Sequence, residues 1–237
     1  VQTSFNLFKY FNINPSFNYQ ERWYFQKVDK EWDPVAKQVI DSDTTWGFYR
    51  LYNYSMSVSA STKVYGTYQF KKGAAIQAIR HMITPSVSFS YTPDFGKNGY
   101  GYYKQVQSDT MGRMMTYSPF ANGLYGVPGS GPSMSLNFSV SQTLEMKVRD
   151  KKDTTGVRKI KLIDNLMISS SYNFLADSLN LSPFSLSLRT NLFKNVGLNV
   201  TATLDPYQVD PVTGRRINRF MLRQGKLGRL TSVQTSF

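Results

Sequence analysis

The chain has 237 residues, and none of its apolar runs approaches the roughly 20 residues that a transmembrane helix requires. It contains no cysteine, which excludes a disulfide scaffold and a thiolate metal site, and its aromatic content of 15% excludes a disordered chain. The 28 basic and 15 acidic residues give a formal net charge of +13, which favours anionic partners.

Alternation of apolar and polar side chains recurs along the chain, and no segment sustains a helical period. In chain order, the alternating runs cover residues 1–8, 11–25, 46–70, 79–91, 134–148, 158–175, 183–193, 196–205 and 229–237. Because successive side chains of a strand point to opposite faces, each run predicts a strand with one apolar and one polar face. The sequence therefore predicts an all-β, antiparallel fold of about nine strands.

The run from Trp46 to Phe70 is the most informative, because its alternation is unbroken over its whole length. Strands of soluble proteins usually have about 3–10 residues, whereas a strand that crosses a bilayer at a tilt and projects beyond it is longer. The pattern predicts an antiparallel transmembrane β-barrel, or a segment of a larger one. The mean hydropathy of −0.38 agrees, because polar lumen residues interleave with the lipid-facing ones. A secreted structural or adhesive β-protein is the alternative.

The connections between the predicted strands are unequal in length. One rim of an up-and-down barrel would receive the longer connections, at about 28–45, 94–132, 176–182 and 206–228. The other rim would receive tight links near 9–10, 71–76, 150–156 and 194–195. Long loops on one rim and short turns on the other are typical of bacterial outer-membrane barrels.

Aromatic residues concentrate where the predicted strands end. Such positions suit the aromatic girdles that anchor a barrel at the two membrane interfaces. The predicted girdle residues are Trp23, Phe25, Trp46, Phe48, Tyr68 and Phe70.

Basic residues fall into three groups. The predicted lumen face carries Arg22, Lys63, Arg80 and Arg189. A second group (Lys147, Arg149, Lys151, Lys152, Arg158, Lys159 and Lys161) brackets a short turn, and a third (Arg215, Arg216, Arg219, Arg223, Lys226 and Arg229) follows the last long loop. Lys and Arg bind phosphate by charge and by forked donors, so a phosphorylated glycolipid is one candidate partner. General solubility and attraction to anionic headgroups explain such clusters equally well. No nucleic-acid-binding module is recognisable.

The sequence offers no support for an enzyme or for a cofactor. Its one histidine, His81, lies on the apolar parity of its strand, where neither a metal cluster nor a catalytic triad is built around it. The segment 126–132 lacks the Lys-Ser/Thr ending of a phosphate-binding loop and predicts a turn-rich connection.

Two charged residues interrupt the apolar parity. Glu21 and Arg50 lie near the long-loop ends of neighbouring strands. A cation on the lipid face costs about 2–4 kcal/mol at the bilayer midplane and much less at the interface. We therefore expect both residues to lie at the interface and to pair with each other.

Two segments carry a family resemblance. Arg80-His81-Met82-Ile83-Thr84-Pro85-Ser86-Val87-Ser88-Phe89-Ser90-Tyr91-Thr92-Pro93-Asp94-Phe95 and Tyr117-Ser118-Pro119-Phe120-Ala121-Asn122-Gly123-Leu124-Tyr125-Gly126 resemble the barrel of LptD, the lipopolysaccharide-assembly protein of the bacterial outer membrane, in the form found in Bacteroidetes. Residues 203–207 and 214–218 add to the likeness. The family's barrel is much larger than nine strands, and its periplasmic β-jellyroll has no counterpart in these residues. The expectation is therefore a single β-barrel region over 1–237, as the C-terminal barrel portion of a longer chain.

The resemblance implies non-enzymatic translocation of lipopolysaccharide to the surface of a Gram-negative bacterium. It also implies an LptE-like lipoprotein inside the barrel and periplasmic bridge proteins behind it. In this family, weakened pairing at a strand seam lets lipid leave sideways, so Pro15 or Pro85 could mark such a seam. A simple bulge is the other explanation for each proline. Within the membrane, a porin or another solute transporter is the alternative function.

Overall fold

The computed structural model describes residues 2–71, 74–150, 156–192 and 196–237. The strands are β1 (Phe5–Leu7), β2 (Phe11–Asp33), β3 (Gln38–Ser61), β4 (Val64–Gln69), β5 (Ile76–Thr92), β6 (Lys104–Gln107), β7 (Met114–Tyr117), β8 (Ser133–Arg149), β9 (Val157–Asn173), β10 (Phe184–Leu192), β11 (Val196–Asp205), β12 (Tyr207–Val209), β13 (Arg216–Phe220) and β14 (Arg229–Ser236). Short 3-10 turns cover Asn98–Tyr100 and Met221–Gln224. In the described part of the chain, no helix has the length and apolar character needed to cross a membrane.

Hydrogen bonds between neighbouring strands build one ten-stranded sheet in the order β1-β2-β3-β5-β8-β9-β10-β11-β14, with β4 also paired to β5. The pairs whose register is resolved are antiparallel. The nine strands of this order match the nine predicted runs, so the predicted all-β antiparallel fold is confirmed. Within the described residues the sheet does not close, because no pairing joins β1 to β14.

Two predicted boundaries are wrong. The run 46–70 is divided at Thr62 and Lys63 into β3 and β4. The loop predicted at 28–45 is mostly strand, because β2 continues to Asp33 and β3 starts at Gln38. The charged composition of this segment resembles that of a loop. In the structure these charged residues pair across the two strands, with Lys30 Nζ 3.3 Å from Asp41 Oδ1.

The remaining long connections are present, at 93–132, 174–183 and 206–228. The first contains the two-stranded β6–β7 sheet and the last contains the β12–β13 sheet. The tight links predicted near 71–76, 150–156 and 194–195 lie wholly or partly outside the described residues, as do Lys151 and Lys152. Three of the four predicted long connections are thus confirmed, and the alternation with short turns on the other rim stays a prediction.

The chain divides into two compact units. The first contains Ser16–Ser57 and Ser90–Ser133, which are the longer parts of β2 and β3 together with the 93–132 connection. The second contains Gln2–Pro15, Val58–Phe89 and Met134–Phe237.

Large apolar side chains remain exposed on one face of the strands. In β2 they are Phe11, Phe17, Tyr19, Trp23 and Phe25, and in β5 they are Val87, Phe89 and Tyr91, all at odd positions, together with Ile76 at the start of β5. A soluble sandwich would bury these residues against a second sheet. Such exposed apolar side chains on one face are what a lipid-facing surface requires.

Candidate functional site

The polar face of the second unit carries a row of hydroxyl side chains that crosses six strands. Ser139 is opposite Ser169, Ser169 is opposite Ser185, and the register continues through Thr203 to Ser232. On the other side, Ser86 Oγ and Ser139 Oγ are 2.8 Å apart. Directly opposed residues share a face of the sheet, so the six hydroxyls form one continuous polar stripe.

Part of this row lines a concave site of about 380 Å³. Its wall contains Ser88, Ser170, Ser171, Ser182 and Asn137 in addition to four serines of the row. Ser171 Oγ and Ser182 Oγ bond to each other at 2.8 Å. By contrast, among the described residues no hydrogen-bond partner is found for the hydroxyls of Ser169 and Ser185. This surface therefore offers donors and acceptors to a hydroxyl-rich or hydrated ligand.

The four predicted lumen cations lie in different local surroundings, and their role in the lumen stays a prediction. Arg189 is opposite Asn165 and Asn199, on the same face as Ser185. The Arg80 guanidinium lies 4.8 Å from the centre of the Tyr65 ring. Lys63 is exposed in the gap between β3 and β4.

Arg22 belongs to the first unit and is occupied by neutral acceptors. Its Nη1 donates to Asn53 Oδ1 at 2.6 Å, and its Nε donates to the carbonyl oxygen of Tyr125 at 3.0 Å. Arg22 therefore ties the 93–132 connection to β2, and no carboxylate of the described residues neutralises its charge.

An aromatic cluster, which sequence reasoning missed, attaches the same connection to the β2–β3 hairpin. Its buried members are Tyr24, Leu51, Phe95, Tyr102 and Phe120. The Phe120 ring lies between Tyr24 and Tyr49, at centroid distances of 5.7 and 5.5 Å. The available signal was that Tyr24, Tyr49 and Leu51 are large residues at positions of the polar parity.

The hydroxyl of Tyr102 pairs with both backbone polar groups of Tyr52 in β3. It accepts a hydrogen bond from the Tyr52 backbone N–H at 2.8 Å and donates to the Tyr52 carbonyl oxygen at 3.1 Å. A second anchor is Lys104, whose Nζ donates to Asp29 Oδ1 at 2.7 Å. This hydrogen bond to the carboxylate raises the pKa of Lys104 above its ordinary value. Residues 93–132 are therefore a packed cover on the hairpin, although the sequence predicts only a long loop.

The predicted girdle residues are all exposed. The exposed fractions of Trp23, Phe25, Trp46 and Phe48 are 59%, 64%, 74% and 60%, and the Phe48 ring contacts Trp23 and Phe25 at 5.8 and 5.9 Å. In the second unit, Tyr68 and Phe70 have an edge-to-face contact at 4.9 Å. Their place at a membrane interface stays a prediction.

Both predicted seam prolines lie where a ladder is interrupted. The regular β1–β2 register ends at Phe5 and Ile13, and Pro15 then accepts a hydrogen bond from Thr3 N at 3.3 Å. Pro85 accepts one from Thr62 N at 3.2 Å, at the gap between β3 and β4. Proline lacks the N–H that would complete either pair. A lateral opening at these positions stays a prediction.

The predicted pairing of Glu21 with Arg50 is confirmed, at 3.5 Å between Oε1 and Nε. Glu21 also accepts hydrogen bonds from Tyr19 Oη at 2.8 Å and from Trp23 Nε1 at 2.7 Å. The Glu21 carboxylate thus offsets the positive charge of Arg50 on the apolar face.

Replacing one member of this pair tests that role. We expect Glu21→Leu to lower the thermal stability of the detergent-solubilised protein, because Arg50 is left without its carboxylate among apolar neighbours. We expect the double variant Glu21→Leu/Arg50→Leu to recover most of the loss. A loss in the double variant that equals the sum of the losses in Glu21→Leu and Arg50→Leu would show that the pair has no such function.

Together, a long-stranded antiparallel sheet, an exposed apolar face and a hydroxyl-rich opposite face define a segment of a transmembrane β-barrel. The family described as LptD protein matches residues 1–207, and the chain belongs to this family. Its members are transport and assembly proteins associated with the outer membrane, with a function related to lipopolysaccharide. Searches of curated proteins and of solved structures found no match.

Proposed function

We propose that the hydroxyl-rich face of this sheet conducts the hydrophilic headgroup of lipopolysaccharide towards the cell surface, while the apolar face lies in the membrane. The observation that carries the proposal is the six-residue hydroxyl row, on the face opposite to the leucine side chains of β10. A sugar headgroup exchanges water for hydroxyl and amide partners along such a row without binding tightly at one point. No covalent step is required.

The phosphates of the headgroup are proposed to contact Lys63, Arg80 and Arg189. Arg22 adds positive charge, since its acceptors in the described part of the chain (Tyr125 O, Asn53 Oδ1 and Gln20 Oε1) are neutral. An LptE-like lipoprotein and periplasmic bridge proteins belong to the proposal on the strength of the family alone.

We also propose that residues 1–237 act as one β-barrel region within a larger barrel. In lipid, every backbone polar group needs a partner, so a spanning sheet must have no open edge. The edge strands β1 and β14 are not joined to each other in the described residues. Further strands would complete the pairing.

Site-specific photocrosslinking in living cells tests the headgroup path. A photoreactive residue at Ser57 or Ser185 is expected to form adducts with lipopolysaccharide, and stopping lipid A synthesis is expected to abolish them. The matched positions Val58 and Leu188 point to the opposite, membrane-facing side of the sheet. Photoreactive residues there are expected to form adducts with membrane lipids, and these adducts are expected to persist when lipid A synthesis is stopped.

Absence of lipopolysaccharide adducts at both serine positions would contradict the proposal. Uptake of small solutes by proteoliposomes, together with that absence, would favour a porin.

A further inference from the structure

A second concave surface lies on the apolar face of the second unit, with a volume of about 520 Å³. Its floor includes Ile168, Leu186 and Leu204, and its wall includes Phe220, Leu222 and Leu227. All of its lining residues are apolar. Leu186 directly follows Ser185 in β10, so this groove and the hydroxyl row face opposite sides of the sheet.

The wall of the groove is held in place by buried groups. The Tyr207 ring stacks on Phe220 at 4.9 Å, and the Tyr207 hydroxyl accepts a hydrogen bond from Leu181 N at 3.0 Å. The backbone N–H of Met221 donates to the Pro206 carbonyl oxygen at 2.8 Å. The groove is thus part of the folded structure and has the size of ligand sites in other proteins.

In the sequence, cations adjoin three residues of this wall. Arg219 precedes Phe220, Arg223 follows Leu222, and Lys226 precedes Leu227. All three are exposed, and within the described residues none has an acidic partner. By contrast, Arg216 and Arg229 lie 3.9 and 3.8 Å from the buried carboxylate of Asp205.

We propose that this groove binds one phosphate-bearing lipid, with an acyl chain along the apolar floor and the phosphate against Arg219, Arg223 and Lys226. The groove lining provides no polar side chain to pair with the backbone of a peptide, which disfavours a protein segment. A second copy of the chain would bring the same positive charge to the contact. The occupant must therefore have an apolar part that needs no hydrogen bonds and a negatively charged part that complements the cations. An anionic lipid has both, in its acyl tail and in its headgroup.

This site goes beyond the proposed transport path, because it holds a lipid on the membrane-facing side. It depends only on the apolar face lying in the bilayer. Loss of the site is therefore expected to leave the crosslinks at Ser185 unchanged.

Native mass spectrometry of the full-length protein in detergent tests the proposal with two lipids that share their acyl chains. Dioleoyl phosphatidic acid is expected to bind at least about tenfold more tightly than dioleoyl phosphatidylcholine, whose headgroup has no net charge. The triple variant Arg219→Gln/Arg223→Gln/Lys226→Gln is expected to remove this preference. A matched control, Lys147→Gln/Arg149→Gln/Lys159→Gln, deletes three exposed cations elsewhere and is expected to retain it.

Binding of the acyl chain is tested separately with the variant Leu222→Asn/Leu227→Asn. Both positions are exposed, so their replacement leaves the buried groups that hold the wall unchanged. This variant is expected to weaken the binding of both lipids. Equal binding of the two lipids, or an equal effect of the control triple variant, would overturn the proposal. Full displacement of phosphatidic acid by inorganic phosphate, with no effect of the leucine changes, would show a phosphate site alone and would also overturn it.

Discussion

Gly123→Ala is expected to loosen the cover formed by residues 93–132. A Cβ atom at position 123 would lie 2.8 Å from Cζ and 2.9 Å from Cδ1 of Tyr24, and closer still to Cε1. The ring cannot easily move away, because it packs on Phe120 and its hydroxyl donates to the Gly126 carbonyl oxygen at 2.7 Å. Overpacking of this kind costs about 1–3 kcal/mol.

Hydrogen–deuterium exchange of the full-length protein measures the effect of Gly123→Ala. Faster exchange is expected at the backbone of Val28, whose N–H donates to the Pro119 carbonyl oxygen at 2.9 Å. Gly129→Ala is the matched control, since a Cβ there meets no atom within 4 Å. If both variants exchange like the wild type, the cover does not depend on the close approach of Gly123 to Tyr24.

Tyr207→Ala is expected to produce the largest loss of stability in the second unit. The Tyr207 side chain is 1% exposed, stacks on Phe220 and accepts the hydrogen bond from Leu181 N. Truncating a buried aromatic residue costs about 3–5 kcal/mol. The wall of the groove would detach, so phosphatidic acid binding is expected to fall together with stability.

Tyr207→Phe separates packing from hydrogen bonding. It retains the stack on Phe220 and leaves the Leu181 N–H without its acceptor, which costs about 1–3 kcal/mol. Urea unfolding in detergent is expected to rank the midpoints as wild type, then Tyr207→Phe, then Tyr207→Ala. Equal midpoints for wild type and Tyr207→Ala would show that this side chain does not hold the wall.

The strands of the main sheet could be predicted from the sequence, because the alternation of apolar and polar residues that indicates a strand lies within the strand itself. From β5 onwards, the seven-residue or longer strands match the predicted runs within a few residues, as with Val157–Asn173 and Arg229–Ser236. The pairing of Glu21 with Arg50 was also predictable, because both residues lie near the long-loop ends of neighbouring strands and such residues become adjacent when the strands pair. The failure at 28–45 has a physical cause, because charges that pair across strands, such as Lys30 and Asp41, have the composition of a loop.

Alternation in the amino-acid sequence by itself determined that the chain forms long antiparallel strands with one apolar and one polar face, because side-chain direction follows from the strand period alone. Only the tertiary structure decided that residues 93–132 pack as a cover, that six hydroxyls align across six strands, and that an apolar groove opens between Leu186 and Phe220. Those features depend on register and on contacts between residues far apart in the chain, such as Tyr24 with Phe120. No local period encodes such contacts, since they arise only when the strands have found their partners.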